Sequence, residues 1–80
     1  MTISQAIHEV KSGVRPGLRG IGCATIVMED GARFALADQS GEPLLLRATD
    51  SEVEAIPAAQ VAGEVEAVEW SCDESGAIYG

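Results

Sequence analysis

Carboxylates dominate one stretch of the sequence. Between Asp50 and Glu74, eight of 25 residues are acidic, and none is lysine or arginine. Carboxylates in proteins bind metal ions, move protons in catalysis, or present negative charge to a basic partner. The neighbouring residue types decide among these chemistries.

Catalysis has little support in the residues around these acids. The chain has one histidine, His8, which lies on a predicted helix far from the acidic stretch in sequence. A nucleophilic arrangement would have to combine it with Ser12, Ser71 or Cys72. No serine lies in a G-x-S-x-G motif. The sequence therefore predicts a protein that is not an enzyme.

Metal and phosphate sites are also poorly supported. Zinc needs closely spaced Cys and His ligands, whereas Cys23, Cys72 and His8 lie far apart in sequence. Residues 38–42 and 73–76 are acidic and contain glycine, but they are too short for a calcium loop and are typical of turns. The segment VRPGLRG lacks the spacing of a phosphate-binding loop. We expect no metal and no cofactor.

A partner-binding role remains for the acids of the second half. Asp50, Glu52 and Glu54 suit the start of a predicted helix, where negative charge is stabilising. On a strand, Glu64 and Glu66 would share a face about 6.6 Å apart, without a cation nearby, in a row that resembles a phosphate backbone. The predicted partner-binding residues are Glu64, Glu66, Glu69, Trp70, Asp73 and Glu74, with Trp70 as the apolar anchor. A solvated face is the alternative interpretation of the same acids.

The charge distribution restricts the class of partner. The net charge is −8, and all of it comes from residues 41–80, where nine acids face Arg47 alone. Direct binding to nucleic acid or to an anionic membrane needs a basic surface, so both are disfavoured. Neither a signal-peptide pattern nor an apolar run of about 18 residues occurs, so we expect a cytoplasmic protein.

Periodicity predicts the elements of the first half. Residues 3–12 place Ile3, Ala6, Ile7 and Val10 on one helical face. Thr2 and Gln5 form a capping box, and Gly13 ends the helix. Strands are predicted at residues 21–29, 32–38 and 43–49. Asp30 and Gly31 are expected to form a type I′ turn between the first two strands, and residues 39–42 the next turn.

The second half is less regular. The Ser51-x-x-Glu54 capping box predicts a second helix, cut short by Pro57. Residues 64–72 fit a strand by composition and a helix by the spacing of Val61, Val65, Val68 and Cys72; the strand is favoured. The predicted fold is a single α+β domain over residues 1–80, in the order αβββαβ. Its antiparallel sheet of three or four strands has helices on one face.

The two cysteines have different predicted roles. Cys23 lies in an apolar strand pattern and is interpreted as a small core residue. Cys72 lies among charges and is predicted to be exposed, where it could form an intermolecular disulfide. A homodimer is therefore one possible assembly.

In length, acidity, a small α+β pattern and the absence of a catalytic motif, the chain resembles the small acidic phage-encoded anti-CRISPR proteins directed at type I surveillance complexes. That resemblance implies a non-enzymatic inhibitor that mimics DNA and blocks target binding, acting in the host cytoplasm. The stretch DQSGEPLLLRATDSEVEA is also similar to the strand–turn–strand–helix of some small bacterial proteins without known activity. The alternative function is thus a small cytosolic interaction domain, monomeric or homodimeric, whose acidity confers only solubility.

Overall fold

One α-helix and a five-stranded antiparallel sheet make up the computed structural model, which describes residues 1–17, 20–37 and 41–71. The helix is α1, and the strands β1 to β5 lie in the sheet in the order β4-β3-β2-β1-β5. One 3₁₀ turn precedes β1 and a second connects β4 to β5. The predicted α+β class is confirmed. The elements are α1 Ile3–Gly13, β1 Ala24–Met28, β2 Arg33–Leu36, β3 Leu44–Ala48, β4 Val53–Pro57 and β5 Val65–Trp70.

Local signals correctly predict α1. The Thr2 hydroxyl accepts a hydrogen bond from the Gln5 N–H at 3.1 Å, and the Gln5 side chain accepts one from the Thr2 N–H at 2.8 Å. This reciprocal pair is the capping box, which satisfies two N–H groups that the first helical turn leaves without partners. Ala6, Ile7 and Val10 are buried, as the periodicity predicts. The helix lies over the sheet with this apolar face inward.

Gly13 is the last residue of α1, and the need for glycine there comes from a contact that is distant in sequence. The residue after it, Val14, is extended, and Gly13 is not among the glycines with positive φ. A Cβ atom at Gly13 would lie 2.5 Å from an atom of the Trp70 ring, which is closer than real Cβ contacts. Glycine is therefore needed here because the indole packs directly against the helix end.

The turn between β1 and β2 differs from the predicted type I′ turn. That type needs positive φ at both central residues, but Asp30 does not have it, whereas Gly31 has φ 96°. The Gly31 N–H bonds to the Met28 carbonyl at 3.0 Å, and the Met28 N–H bonds to the Ala32 carbonyl at 2.8 Å. This is a three-residue loop in which a regular turn is followed by a left-handed glycine. The next predicted turn, at residues 39–42, includes residues 39 and 40, which lie outside the described residues.

The predicted second helix is wrong, because residues 53–57 form strand β4. β4 pairs with β3 over five residue pairs, from Leu44 with Pro57 to Ala48 with Val53. Pro57 would have limited a helix to about one turn, and such short helices are marginal in water. Glu54 does not cap a helix but forms an ion pair across to Arg47.

β5 is a strand, as favoured from the sequence, and it contains a β-bulge. Its register to β1 shifts between Met28, which faces Val65, and Val27, which faces Ala67, so Glu66 is the additional residue. The bulge places Val65 on the same side of the sheet as Val68 and Trp70, all of which contact the core. The residues of β5 that face the core are therefore three and then two positions apart, instead of alternating at every second position. The bulge therefore explains why Val65 and Val68, at a spacing typical of a helix, lie on one side of a strand.

The core lies between α1 and the inner face of the sheet. Its buried side chains come from the helix, from β1, β2 and β3, and from Val65 at the start of β5. Ile56, Val61 and Trp70 pack around it and are partly buried. No helix within the described residues is long and apolar enough to cross a membrane. The buried core residues are Ala6, Ile7, Val10, Ala24, Ile26, Met28, Phe34, Leu36, Leu45 and Val65.

Cys23 is not the small core residue that the sequence predicts. It ends the 3₁₀ turn before β1, is only partly buried, and is disulfide-bonded. Its carbonyl accepts hydrogen bonds from the Ser71 N–H at 2.9 Å and from the Ser71 hydroxyl at 3.1 Å. Cys72, with its predicted intermolecular disulfide, lies outside the described residues.

Candidate partner-binding surface

Three acidic segments meet at one end of the sheet. In an antiparallel meander, the β1–β2 turn and the β3–β4 turn lie at the same end, and β5, antiparallel to β1, starts there too. Each of these segments carries two exposed acidic residues. We call this set the acidic rim: Glu29, Asp30, Asp50, Glu52, Glu64 and Glu66.

Backbone hydrogen bonds hold the rim segments in place. The Glu29 N–H donates to the Glu64 carbonyl at 3.0 Å, which joins the first turn to the start of β5. The Thr49 N–H donates to the Glu52 carbonyl at 2.7 Å, and the Glu52 N–H donates to the Thr49 hydroxyl at 3.1 Å. In the β1–β2 turn, the Ala32 N–H donates to the Asp30 carboxylate at 2.9 Å. The carboxylates therefore project from ordered backbone.

Little positive charge compensates the rim. Within the described residues, the cationic group that reaches a rim carboxylate is the Met1 amine, 3.9 Å from Glu64. The same amine donates to the Val65 carbonyl at 2.9 Å, so it is shared between two acceptors. The other five rim carboxylates have no ion pair in this part of the chain. Carboxylates gathered at one end of the sheet without matching cations repel one another and give that end a negative potential.

The two arginines of the sheet neutralise acids outside the rim. Arg33 lies 2.6 Å from Glu69, reaching from β2 across β1 to β5. Arg47 donates to Glu54 through Nη2 at 2.6 Å and through Nε at 3.2 Å. Glu69, one of the predicted partner-binding residues, therefore has a counterion within the domain. Arg33 is distant in sequence but adjacent across the sheet.

The structure thus divides the predicted site residues. Glu64 and Glu66 belong to the acidic rim, although the bulge at Glu66 removes the simple two-residue spacing assumed for them. Trp70 lies at the opposite end of β5, partly buried against α1 and the core. Asp73 and Glu74 lie outside the described residues.

Sequence reasoning missed four rim residues. Glu29 was assigned to the end of a strand and Asp30 to a turn, whereas Asp50 and Glu52 were assigned to the start of a helix. The signal that would have found them is their position: acids in alternate turns of a meander must lie at one end of the sheet. Recognising β4 as a strand was the necessary step.

The end of the molecule opposite the rim carries basic residues. Met1, just before α1, bonds to Val65, and α1 finishes with Gly13 beside Trp70, so the helix runs from the rim to the other end of β5. Lys11 lies in its last turn. Arg15 donates to the carbonyls of Ser12 and Val14, both at 3.0 Å, which satisfies acceptors at the helix end. Lys11 and Arg15 therefore lie at this end, together with the exposed Glu42 of the β2–β3 turn.

The remaining chemical groups do not converge. His8 Nε2 lies 3.4 Å from the Ser12 hydroxyl on the exposed side of α1, one helical turn away. Among the described residues, no three His, Cys, Asp or Glu side chains are grouped closely enough to hold a metal ion. The rim carboxylates are thus spread out as a surface.

Comparison with known proteins supplies no family. No protein-family model matches the chain, and neither the curated proteins nor the solved structures gave a match. The physical properties of the acidic rim therefore carry the functional argument.

Proposed function

We propose that this protein is a non-enzymatic binding protein whose acidic rim docks on a basic surface of another protein. The observation that carries the proposal is the convergence of six exposed carboxylates from three chain segments, which a single amine compensates among the residues that the structure describes. Charge complementarity of this kind speeds association and selects partners of the opposite sign.

The extent of the rim suits a surface that normally binds nucleic acid. Neighbouring strands lie about 4.8 Å apart, so five strands span roughly 19 Å along the sheet. A DNA strand carries one phosphate per roughly 3.4 Å of helix axis, or about six over that length. Six carboxylates on the rim give a similar linear charge. A groove lined by Lys and Arg for a phosphate backbone is therefore the type of partner surface that we propose.

The first target to test is a type I CRISPR surveillance complex. Its choice rests on the resemblance to acidic anti-CRISPR proteins in size, charge and fold class. In that role, the rim would occupy the basic channel for target DNA and compete with it. The rim itself supports only the coarser proposal of a basic partner surface.

Two charge reversals with the same formal change test the role of the rim. Glu66→Lys alters a rim residue, and Glu9→Lys alters an exposed carboxylate on α1 that also lacks an ion pair among the described residues. We expect Glu66→Lys, and more strongly Glu29→Lys with Glu66→Lys, to weaken binding to the purified complex, while Glu9→Lys leaves it nearly unchanged. Binding should also weaken with added salt, since exposed charges are screened beyond about 8–10 Å at physiological ionic strength.

The readouts are equilibrium binding by interferometry and displacement of labelled target DNA, with the melting temperature measured in parallel. Equal loss in the rim and α1 variants would show that net charge alone matters. Unchanged binding in all variants would reduce the rim to a solvated face. Absence of binding to the surveillance complex, combined with salt-dependent binding to another basic partner, would reject the target and retain the rim.

A further inference from the structure

The pairing of β4 with β3 fixes which residues of β4 direct their backbone N–H and C=O groups toward β3 and which direct them outward. The Ala58 N–H donates to the Pro43 carbonyl at 2.9 Å, and the Thr49 N–H donates to the Glu52 carbonyl at 2.7 Å. Hydrogen-bonded pairs alternate along an antiparallel ladder, so Glu54 and Ile56 face β3 with their backbone groups. The backbone groups of Val53, Ala55 and Pro57 consequently point away from the sheet.

That edge has no partner among residues 1–17, 20–37 and 41–71, which the structure describes. It presents the N–H groups of Val53 and Ala55 and the carbonyls of Val53, Ala55 and Pro57. Two of its side chains are also exposed: Val53 is 64% exposed and Ala55 is exposed, whereas Pro57 is partly buried. At the other edge of the sheet, Met1 exchanges backbone hydrogen bonds of 2.7 and 2.9 Å with Val65 of β5. β4 is thus the edge at which a further strand can be added.

We propose that β4 pairs with β4 of a second copy of this chain, antiparallel about a two-fold axis that places Ala55 opposite Ala55. Each Val53 N–H then meets the Pro57 carbonyl of the other copy, and each Ala55 N–H meets the Ala55 carbonyl. All four outward N–H groups of the two edges are satisfied. Pro57 has no N–H to donate to the Val53 carbonyl of the other copy. That carbonyl loses a hydrogen bond, but every N–H donor of the two edges still has a partner.

Side chains and charge favour this register. Val53 lies against Pro57 of the other copy and Ala55 against Ala55, which covers the exposed apolar atoms. A shift that pairs Val53 with Ala55 also makes four hydrogen bonds, but it sets Glu54 directly opposite Glu54, and like charges there are destabilising. In the proposed register Glu54 faces Ile56 and keeps Arg47 as its own counterion. The antiparallel arrangement also directs the two acidic rims to opposite ends.

Sedimentation equilibrium of the full chain tests the dimer. We expect a concentration-dependent monomer–dimer equilibrium in the unmodified protein. Ala55→Lys should sediment as a monomer with its melting temperature retained, because two ammonium groups would face each other at the axis. Ala62→Lys is the matched control, an exposed alanine outside β4 that should leave the dimer intact. Purely monomeric unmodified protein, or equal behaviour of the two lysine variants, would overturn the proposal.

Cysteine variants test the register independently. Cα atoms of a hydrogen-bonded antiparallel pair lie about 5.5 Å apart, within the range that a disulfide spans. Ala55→Cys should therefore cross-link two copies under mild oxidation, whereas Val53→Cys, four residues from its counterpart along the ladder, should not. Efficient cross-linking of Val53→Cys in place of Ala55→Cys would contradict the assigned register. The dimer does not depend on the acidic rim, so either proposal can fail without the other.

Discussion

The two outer strands of the sheet, β5 and β4, have opposite relations to the rest of the molecule. β5 pairs with β1, receives Met1 at its start, and packs Trp70 against the end of α1. In the part of the chain that the structure describes, β4 pairs only with β3, and it leaves Val53 exposed. Of these two outer strands, only β5 contributes a fully buried side chain, Val65, to the core.

The edge at β5 is thus part of the folded domain, whereas the edge at β4 is available for pairing with another strand. Proteins generally protect strand edges, because unpaired backbone groups invite association with other chains. Here the protection of β5 comes from the N-terminal segment and the helix. On β4, Pro57 removes one donor, and the edge otherwise stays open. We therefore expect substitutions on β5 to affect folding and those on β4 to affect assembly.

The largest expected contrast comes from the same change on both strands. Val65→Ala on β5 removes two buried carbons, worth about 0.8 kcal/mol each by transfer, and leaves a cavity. We expect a loss of about 2 kcal/mol in the free energy of unfolding, measured by urea denaturation. Val53→Ala should change it by less than about 0.5 kcal/mol, because that side chain is largely in solvent. Similar losses in both variants would disprove the assigned difference between the edges.

An intermediate effect is expected where β5 meets the helix. In an exposed helix, replacing glycine by alanine usually stabilises by about 1 kcal/mol. Gly13→Ala should instead destabilise by about 1–3 kcal/mol, since the new methyl group overlaps the Trp70 ring. The thermal melt and the Trp70 fluorescence spectrum should both shift.

Two further variants isolate that contact. Gly20→Ala is the control, because a Cβ there meets nothing within 4 Å and its φ of −102° suits alanine. Trp70→Leu should make the Gly13→Ala change much less harmful, by removing the ring that it strikes. An additive double variant would show that the two residues do not contact each other.

The smallest expected effect concerns the ion pairs, one on each outer strand. Glu69→Gln removes the carboxylate beside Arg33, and Glu54→Gln removes the one beside Arg47. Exposed pairs of this kind are typically worth about 0.2–1 kcal/mol. We expect both losses to lie in that range and to shrink at high salt, as measured by denaturation at two ionic strengths. A loss that is large and independent of salt would indicate that packing, not charge, is affected.

Sequence reasoning succeeded where neighbouring residues decide the structure. The Thr2–Gln5 capping box and the buried face of α1 depend on contacts within a few residues, and both are confirmed. The three predicted strands of the meander are present, although each is shorter than predicted. The Ser51-x-x-Glu54 pattern failed, because a capping box needs a helix long enough to stabilise and Pro57 prevents one.

The candidate site could be predicted only in part. Glu64 and Glu66 are exposed, as expected, but Glu69 is neutralised by Arg33 from two strands away. The bulge at Glu66 shifts the faces of β5 by one residue, and no local pattern marks it. The bulge arises in the pairing of β5 with β1. It is stabilised because it turns the Val65 side chain into the core.

The sequence by itself determined the excess of negative charge, the helix α1 and the position of the turn between β1 and β2. Only the tertiary structure decided which charges act together. Strand order and the antiparallel direction bring Glu29 beside Glu64, while the cross-strand contacts withdraw Glu54 and Glu69 by pairing them with arginines. The physical reason is range: a cap or a turn is a contact of a few residues, whereas an electrostatic surface depends on distances that the whole fold sets.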